Sequence, residues 1–354
     1  MKIGIMSAWN SDSGASIHAE FIGREFVKMG HKIEVFSFIP ENFHGTAIVD
    51  KDEPYVHRCF STFKANPVYF DAVPFLREKY DIFLAEDIGM FPKNELGRIF
   101  HWIKKKSKTV TVVHDGKLTD DPSFHQFDWD GIVGFDRRYI DFLKEGYPSD
   151  ILKYIPYPCI PWETGNKAKA RQKLKLPADR KIIFMFGPAS ATGAEVIPWL
   201  WEMRKEYPIY IVIVVNHQPT LLRVKPFAEF AKGMVEIRKQ TLTVEEIYDY
   251  LHAADVTVFN KGSLPWVAVS STIYQCLGAG CPFIARDSNF VEMVKDSVFL
   301  FRSFTQFRSA MKNIFDNSPE TKKILKNARN YLDKNCSSRV AAEFIRYFKG
   351  LLKK

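Results

Sequence analysis

The chain has 354 residues with a formal net charge of +9, and 46% of its residues are hydrophobic. This length predicts two domains, each with enough apolar residues for a core of its own. No apolar run reaches the ~18 residues of a transmembrane helix, which argues against a membrane span. The positive charge favours anionic partners such as nucleotide phosphates or an anionic lipid surface. Because the sequence has no helix-turn-helix, zinc-finger or RNA-binding signature, we predict no nucleic-acid partner.

The five cysteines indicate a reducing compartment. None of them forms a CxxC pair, so the sequence predicts free thiols rather than a disulfide framework or a zinc site. The opening segment Lys2–Ile5 has the pattern of a strand and is too short for a signal peptide. We therefore expect a cytoplasmic protein.

The first half of the chain alternates short apolar runs with helical patterns. Its expected strands are Ile3–Met6, Ile33–Phe38, Ile82–Ala85, Thr109–His114 and Gly131–Phe135. The apolar face predicted for the first helix consists of Ile17, Phe21, Ile22, Phe26 and Met29. Gly30 is expected to end that helix, as glycine commonly does. Strands that alternate with helices and short turns predict a parallel sheet covered on both faces.

The second half repeats this pattern after a proline-rich segment. Pro156–Glu163 is expected to be the linker, because its prolines cannot continue a helix or a central strand. The strands expected beyond it are Ile182–Phe186, Ile209–Val215, Val256–Phe259, Pro282–Ala285 and Val298–Phe301. Thr243 and Glu246 predict a capping box at the start of a helix. The apolar face of a predicted last helix consists of Val340, Phe344, Ile345, Phe348 and Leu352.

Several segments, in order along nearly the whole chain, resemble GT-B glycosyltransferases, and most closely the retaining family 4. The loop Ser11–Ala15 and the segment Gly30–Val35 resemble the opening of that family. Further segments with this resemblance are Asp81–Asp87, Val112–Asp115, Asp130–Phe135, Tyr154–Pro156, Leu242–Val256 and Leu277–Ala285, with Glu292 beyond.

The resemblance implies an α/β protein of GT-B architecture, with two Rossmann-like, doubly wound parallel-sheet domains facing a cleft. It implies an acceptor-side domain over residues 1–158, a nucleotide-sugar-binding domain over 159–336, and a C-terminal helix over 337–354 that packs on the first domain. The implied activity is transfer of a hexose, with retention, from a UDP- or GDP-linked sugar to a hydroxyl acceptor. That acceptor is a glycan, a lipid-linked molecule or a small molecule. No cofactor besides the donor is expected.

Four charged positions of the family are replaced in this chain. Pro188 and Gly193 lie where the family carries the Arg and Lys that hold the donor diphosphate. Val267 and Gln275 lie where it carries two glutamates. These replacements motivate two further interpretations. One is a catalytically inactive GT-B subunit that supports an active partner; the other is a GT-B sugar-nucleotide epimerase, which consumes donor without any acceptor.

Without the usual cations, the donor diphosphate needs amide groups and hydroxyls. The glycine-rich turn that begins at Gly187 leads from a strand into a helix, which is a recurrent anion site in such sheets. Its hydroxyls, Ser190 and Thr192, are candidate donors to phosphate. The alternative is that these small residues only form a tight turn.

Other candidate donor contacts lie further along the second half. Ser270, Ser271 and Thr272 are expected at a helix start, where their hydroxyls suit either an anion or an ordinary N-cap. Lys261 follows a strand and is the best substitute cation, unless it is merely solvated. Glu292 matches a family position near the nucleotide ribose, whose diol a carboxylate can bind.

In the first half, His114 and Asp115 are the predicted catalytic residues. His114 ends an expected strand, and its role is to polarise the acceptor or to stabilise positive charge on the sugar. Gly14 is expected to let the backbone approach donor or acceptor. Glu86 and Asp87 are interpreted as strand-end caps rather than acceptor contacts. Because no DxD motif is evident, we predict no metal.

The segment Gly97–Lys108 mixes apolar and basic residues. Ile99, Phe100, Trp102 and Ile103 lie there between an arginine and four lysines. One interpretation is peripheral contact with an anionic membrane, at the inner face. The favoured interpretation is a surface helix whose apolar face is buried in the protein.

Overall fold

The computed structural model describes residues 1–114, 116 and 126–354. The predicted catalytic residue Asp115 therefore lies outside the described residues. The chain divides into two compact units. The first contains Met1–Pro158, Pro265–Ser271 and Asn335–Lys354, and the second contains Cys159–Leu264 and Thr272–Lys334.

The described strands follow one another along both units. They are β1 (Lys2–Met6), β2 (Lys32–Phe38), β3 (Val56–Phe60), β4 (Ile82–Glu86), β5 (Lys108–Val112), β6 (Gly131–Gly134), β7 (Leu152–Tyr154), β8 (Lys181–Phe186), β9 (Ile209–Val214), β10 (Val235–Arg238), β11 (Val256–Phe259), β12 (Phe283–Arg286) and β13 (Phe299–Phe301).

The described helices alternate with these strands. They are α1 (Gly14–Lys28), α2 (Val73–Leu76), α3 (Lys93–Lys106), α4 (Arg137–Leu143), α5 (Lys167–Lys173), α6 (Ser190–Gly193), α7 (Ile197–Met203), α8 (Gln218–Phe230), α9 (Val244–Ala253), α10 (Ser271–Cys276), α11 (Phe304–Phe315), α12 (Pro319–Asn335) and α13 (Ser337–Leu351). No described helix combines the length and the apolar character that crossing a bilayer requires.

Each unit contains one parallel sheet. The described strands of the first sheet lie in the order β3-β2-β1-β4-β5-β6-β7, and those of the second in the order β10-β9-β8-β11-β12-β13. Every described pairing within them is parallel. The order reverses beside β1 in one sheet and beside β8 in the other, which is the doubly wound pattern whose ligands bind at the carboxyl ends of the strands.

Every strand expected from the sequence is present, with ends that differ by at most two residues. Three observed strands, β3, β7 and β10, were not predicted. All three lie at sheet edges, and their short sequences mix apolar with charged residues because one side of each stays partly exposed. These three edge strands lack the continuous apolar run on which the predictions depended.

The buried face of α1 differs from the predicted one. Ile22 and Phe26 are fully buried as predicted, whereas Met29 is exposed and His18, which was not predicted, is fully buried. Gly23 lets the helix pack closely on this part of the first unit, since a Cβ there would lie 2.9 Å from the Trp9 ring and 3.3 Å from Cδ1 of Ile5 in β1. The predicted end of the helix is confirmed, with Gly30 in the left-handed region at φ +81°.

The last helix, α13, packs against α1 in the first unit. Phe344 and Phe348 lie with ring centroids 6.4 Å and 6.0 Å from that of Phe26. The predicted face is correct except at its end, where Leu351 is buried and Leu352 is 41% exposed. Leu352 lies one position beyond the last residue of α13.

Two other helices follow the sequence pattern. The capping box of α9 is present, since Thr243 accepts from the amide of Glu246 and the Glu246 side chain accepts from the amide of Thr243. Helix α3 buries the side chains of Ile99, Phe100 and Ile103 inside the first unit and leaves Trp102 outside. This burial fits the surface-helix interpretation of that segment.

Candidate active site

The carboxyl ends of β4 and β5 bring a buried polar cluster together in the first unit. Glu86 is the last residue of β4, and His114 follows β5 by two residues. His18 lies on the buried face of α1. The strands β4 and β5 are neighbours in the sheet, so residues that follow them meet at one edge. We call His18, Glu86 and His114 the imidazole–carboxylate cluster.

One carboxylate in this cluster contacts two imidazole rings. Nδ1 of His18 lies 2.9 Å from Oε1 of Glu86, and Nε2 of His114 lies 2.7 Å from its Oε2. The side chains of His18 and Glu86 are completely buried, and that of His114 is 11% exposed. Both distances are those of charge-assisted hydrogen bonds.

Aromatic rings enclose the His18 side of the cluster. The ring of His18 lies 5.1 Å from Phe135, 5.2 Å from Tyr157 and 5.9 Å from Phe344, measured between centroids. Its Nε2 atom is buried and has no hydrogen-bond partner among the described residues. A nitrogen in such surroundings is better tolerated as a lone pair than as an unsatisfied N–H donor.

Burial and hydrogen bonding act in opposite directions on the cluster. Burial lowers the pKa of His18, and the interaction with Glu86 offsets this only in part, so that the pKa stays below its ordinary value. Burial alone would raise the pKa of Glu86. The interaction with His18 and the hydrogen bonds from both rings outweigh that effect, and the pKa of Glu86 lies below its ordinary value. At neutral pH the cluster therefore contains a neutral His18 and an ionised Glu86.

The same three residues are the candidates for a metal ion, since their ligand atoms lie within 4.8 Å of one another. A histidine that binds metal normally donates its other ring N–H to an acceptor. Within the described part of the chain, His18 has no such acceptor at Nε2, so its proton belongs on Nδ1, which faces Glu86. The geometry therefore favours a hydrogen-bonded cluster, and the prediction of no metal stays a prediction.

A second polar pair lies next to the cluster. Nδ1 of His44 lies 3.5 Å from Oδ2 of Asp87, and Asp87 adopts the left-handed conformation with φ +54° directly after β4. Burial lowers the pKa of His44, and the attraction of Asp87 opposes this. The pair adds a carboxylate and an imidazole to the carboxyl-end edge of the first sheet.

Gly14 is the first residue of α1, and its surroundings leave little room. The hydroxyl of Tyr157 donates to its carbonyl oxygen at 2.8 Å. A Cβ at this position would lie 3.3 Å from Oγ of Ser271. The predicted close approach at Gly14 is therefore made, in this structure, by groups of the first unit itself.

In the second unit, the turn after β8 uses its polar groups internally. Gly187 has φ +60°. The Ser190 hydroxyl donates to the carbonyl of Gly187 at 2.7 Å, and the Thr192 hydroxyl donates to that of Ala189 at 3.1 Å. The backbone amide of Gly187 donates to the backbone carbonyl of Val214. These bonds support the tight-turn interpretation, and the phosphate role of the turn stays a prediction.

Two of the four replaced charged positions, Gly193 and Gln275, are buried and closely packed, whereas Pro188 is exposed. Gly193 is buried, and a Cβ there would lie 3.1 Å from Sδ of Met185. Gln275 is buried in α10, and the hydroxyl of Tyr248 donates to its carbonyl oxygen at 3.1 Å. The carbonyl of Val267 accepts from the amide of Gly116 at 2.7 Å.

The other predicted donor contacts lie near the ends of strands or at the start of a helix. Ser270 precedes α10, and Ser271 and Thr272 open it. Lys261 follows β11 by two residues, and its Nζ lies 3.9 Å from the ring centroid of Phe290. Glu292 is exposed and is the first residue of a short 3₁₀ helix. Its Oε1 atom lies 3.1 Å from Nζ of Lys295.

Two polar side chains at the carboxyl ends of the second sheet's strands were not predicted as site residues. The side-chain amide of Asn260 donates to the carbonyl of Thr192 at 2.8 Å, which leaves its Oδ1 atom buried without a partner in the described chain. Oγ of Ser288 is in the same condition. Each of these two residues follows its strand, β11 or β12, by at most two positions. Their position after a predicted strand is the sequence feature that could have identified them. Unsatisfied buried polar atoms at the carboxyl ends of strands are expected where a ligand completes them.

Comparison with solved structures gives matches over the whole chain. Sucrose-phosphate synthase from Thermosynechococcus elongatus is 15% identical, with a TM-score of 0.73 over 100% of this chain and 99% of that one. HepE from Anabaena, solved with UDP and glucose, is 13% identical, with a TM-score of 0.72 over 99% of both chains. The pneumococcal O-GlcNAc transferase GtfA, solved with UDP and GlcNAc, is 10% identical, with a TM-score of 0.71 over 100% of this chain and 99% of that one.

These matches establish the fold. The chain has the GT-B fold, as the sequence predicted, because its neighbours are GT-B glycosyltransferases matched over full length. No protein-family model matches the sequence. The resemblance to the retaining family 4 therefore stays a prediction.

Proposed function

We propose that this protein is a glycosyltransferase that moves a hexose, with retention, from a UDP- or GDP-linked sugar to a hydroxyl acceptor. The observation that carries the proposal is the GT-B fold over the full chain, shared with HepE and GtfA, which were solved with UDP and a sugar. No further cofactor is part of the proposal.

The proposed donor site lies at the carboxyl end of the second sheet. Lys261 supplies a cation there, and the atoms Asn260 Oδ1 and Ser288 Oγ lack partners among the described residues. A ribose or a base offers N–H and O–H donors to such acceptors, and the diphosphate attracts the ammonium group. Ser270, Ser271, Thr272 and Glu292 belong to the same proposal as further contacts of the nucleotide sugar.

The proposed catalytic group of the first unit is His114. Its partly exposed ring, hydrogen-bonded to a buried carboxylate, suits a group that accepts a hydrogen bond from an acceptor hydroxyl. Asp115 is retained in the proposal on the resemblance alone.

A thermal-shift screen followed by a turnover assay tests the proposal. A ligand at 100 times its dissociation constant stabilises the folded protein by about 2.7 kcal/mol, so UDP-glucose or GDP-mannose should raise the melting temperature while free glucose should not. Release of UDP or GDP should then depend on an added hydroxyl acceptor. Absence of any shift across the UDP- and GDP-sugars would contradict the proposal.

The catalytically inactive GT-B subunit is the second candidate, and the glycine at position 193 favours it. Gly193 has no side chain, and a Cβ there would lie 3.1 Å from Sδ of Met185, so the cation of the usual diphosphate clamp is absent from this position. Stabilisation by a nucleotide sugar without turnover on any acceptor would support this candidate. Consumption of the donor without acceptor would instead support the epimerase.

A further inference from the structure

The hydrogen bonds of the imidazole–carboxylate cluster determine which ring nitrogens carry protons. An ionised carboxylate only accepts hydrogen bonds. Both nitrogens that face Glu86, Nδ1 of His18 and Nε2 of His114, must therefore donate, at 2.9 Å and 2.7 Å. In a neutral ring the other nitrogen is then an acceptor.

For His18 that acceptor is Nε2, which is enclosed by aromatic rings and has no partner among the described residues. Among the described residues, Glu86 is the only hydrogen-bond partner of this ring. His18 therefore provides a second hydrogen-bond donor to the carboxylate, and this bond stabilises the ionised form of the buried Glu86. A buried carboxylate with too few donors takes up a proton instead.

For His114 the remaining nitrogen is Nδ1. The ring keeps partial exposure at 11%, and its backbone is held where the hydroxyl of Tyr139 donates to the His114 carbonyl at 2.8 Å. The rings of Phe135 and His18 pack on it at 5.0 Å and 5.2 Å between centroids. The ring is thereby fixed in orientation as well as in tautomer.

We propose that Glu86 and His18 are positioning residues that hold His114 as the Nε2–H tautomer and present its Nδ1 lone pair to the acceptor hydroxyl. The tautomer follows from this structure alone, whereas the partner of Nδ1 rests on the proposed glycosyltransferase function. Glu86, interpreted from the sequence as a strand-end cap, has this positioning role instead.

The tautomer is measured directly by ¹⁵N NMR of the histidine-labelled protein at pH ~7.5, well above the ordinary pKa of histidine, with the His114 signal assigned by its loss in His114→Asn. We expect chemical shifts of a neutral Nε2–H ring. In Glu86→Gln, the amide offers an acceptor to one ring and a donor to the other, so one of the two rings should change tautomer. An Nδ1–H ring or a charged imidazolium at His114 in the wild type would overturn the proposal.

Activity provides a second readout. His18→Phe fills the aromatic pocket but removes the second donor to Glu86, and kcat should fall on the order of 10- to 100-fold, as when an orienting partner is lost. The KM for the nucleotide sugar should not change. In His18→Asn, Nδ2 of the amide occupies the place of Nδ1 and still donates, so most of the activity and the wild-type pH profile should return.

The matched control is Glu34→Gln, which alters another carboxylate–imidazole pair of the first unit, with Nε2 of His57 at 2.5 Å. It should leave kcat and the His114 signals unchanged. Equal losses in His18→Phe and His18→Asn without a change of tautomer would show a purely structural role and overturn the proposal. So would stoichiometric binding of Zn²⁺ with loss of both donor N–H signals. If no donor and acceptor pair is turned over, the proposed function fails, and the NMR result alone decides on the tautomer.

Discussion

The two units differ in how they use polar groups at the carboxyl ends of their strands. In the first unit, the side chains of His18, Glu86 and His114 are buried and bind one another. In the second unit, the hydroxyls of Ser190 and Thr192 bind the backbone of their own turn. The first edge is thus built from ionisable side chains, whose chemistry can be changed by pH. The second depends on backbone geometry, which is changed by steric bulk.

The largest effect is expected from bulk in the second unit. Gly278→Ala would place a Cβ 2.6 Å from the carbonyl oxygen of Ile160 and 2.7 Å from that of Pro161. Backbone cannot yield as a flexible side chain does, so we expect a loss of about 3 kcal/mol or more in the free energy of unfolding. Urea unfolding followed by tryptophan fluorescence measures it.

Gly262→Ala is the control, because no atom of the described chain lies within 4 Å of the point that its Cβ would occupy. It should change the free energy of unfolding by less than about 0.5 kcal/mol. Equal stability of the two variants would contradict the view that close backbone approach organises the second unit.

The next effect is the pH dependence of the first unit. Because burial lowers the pKa of His18, this residue binds more protons in the unfolded chain than in the folded one below pH ~6.5. The contribution of His18 to folding stability should therefore decrease as the pH falls below ~6.5, by about 1.4 kcal/mol per pH unit until the folded pKa is reached. His18→Asn removes this titration but keeps a donor to Glu86, so the difference from the wild type should show that slope.

Glu20 gives a contrast of opposite sign in the same helix. Burial raises its pKa to about 7, so between about pH 4.5 and 7 Glu20 binds more protons in the folded state than in the unfolded one. The stability of the wild type relative to Glu20→Gln should therefore decrease as the pH rises through this range. Thermal unfolding at several pH values measures the stability difference between the wild type and His18→Asn and that between the wild type and Glu20→Gln. If the two differences changed with pH in the same direction, the opposite pKa shifts of His18 and Glu20 would be refuted.

A smaller effect is expected from a hydroxyl of the second unit. Ser190→Ala removes the hydrogen bond to the Gly187 carbonyl at a buried position and should cost about 1 kcal/mol of stability. The affinity for a nucleotide sugar should change little if the hydroxyl serves only the turn. A tenfold loss of affinity without loss of stability would instead return this hydroxyl to the phosphate site predicted from the sequence.

The smallest effect concerns the proposed cation of the donor site. Lys261→Ala should weaken binding of a nucleotide sugar about fivefold, which corresponds to the ~1 kcal/mol of a partly exposed ionic contact. Lys205→Ala, on an exposed position of the same unit, is the matched control. Isothermal titration with UDP-glucose compares them, and unchanged affinity in Lys261→Ala would remove this lysine from the site.

Most of the fold was predictable because the central strands are buried on both faces and read as continuous apolar runs. The edge strands β3 and β10 were missed because half-exposed strands carry charged residues. The buried face of α1 was mistaken because His18 counted as polar, although it has a carboxylate partner 68 positions away. Local patterns contain no information about such a partner.

The candidate site was predictable where a residue type closely follows a strand. His114, which the structure places in the imidazole–carboxylate cluster, was identified in this way; Lys261 was chosen by the same criterion, and its donor contact stays a prediction. The role of Glu86 was not, since a carboxylate at the end of a strand is equally typical of a cap. Whether a hydroxyl such as that of Ser190 faces a ligand or its own turn depends on the rotation of one bond, and no residue pattern specifies it.

The position of α13 in the first unit bears on the order of events during synthesis. Helix α1 is made before the second unit, but its partner Ser337–Leu351 leaves the ribosome after every residue of the second unit. Phe26 and His18 contact Phe344. Until α13 is made, these two residues lack the part of their apolar surroundings that Phe344 provides. The second unit can finish folding while the first is still incomplete, so the nascent first unit is the one that most needs chaperone protection.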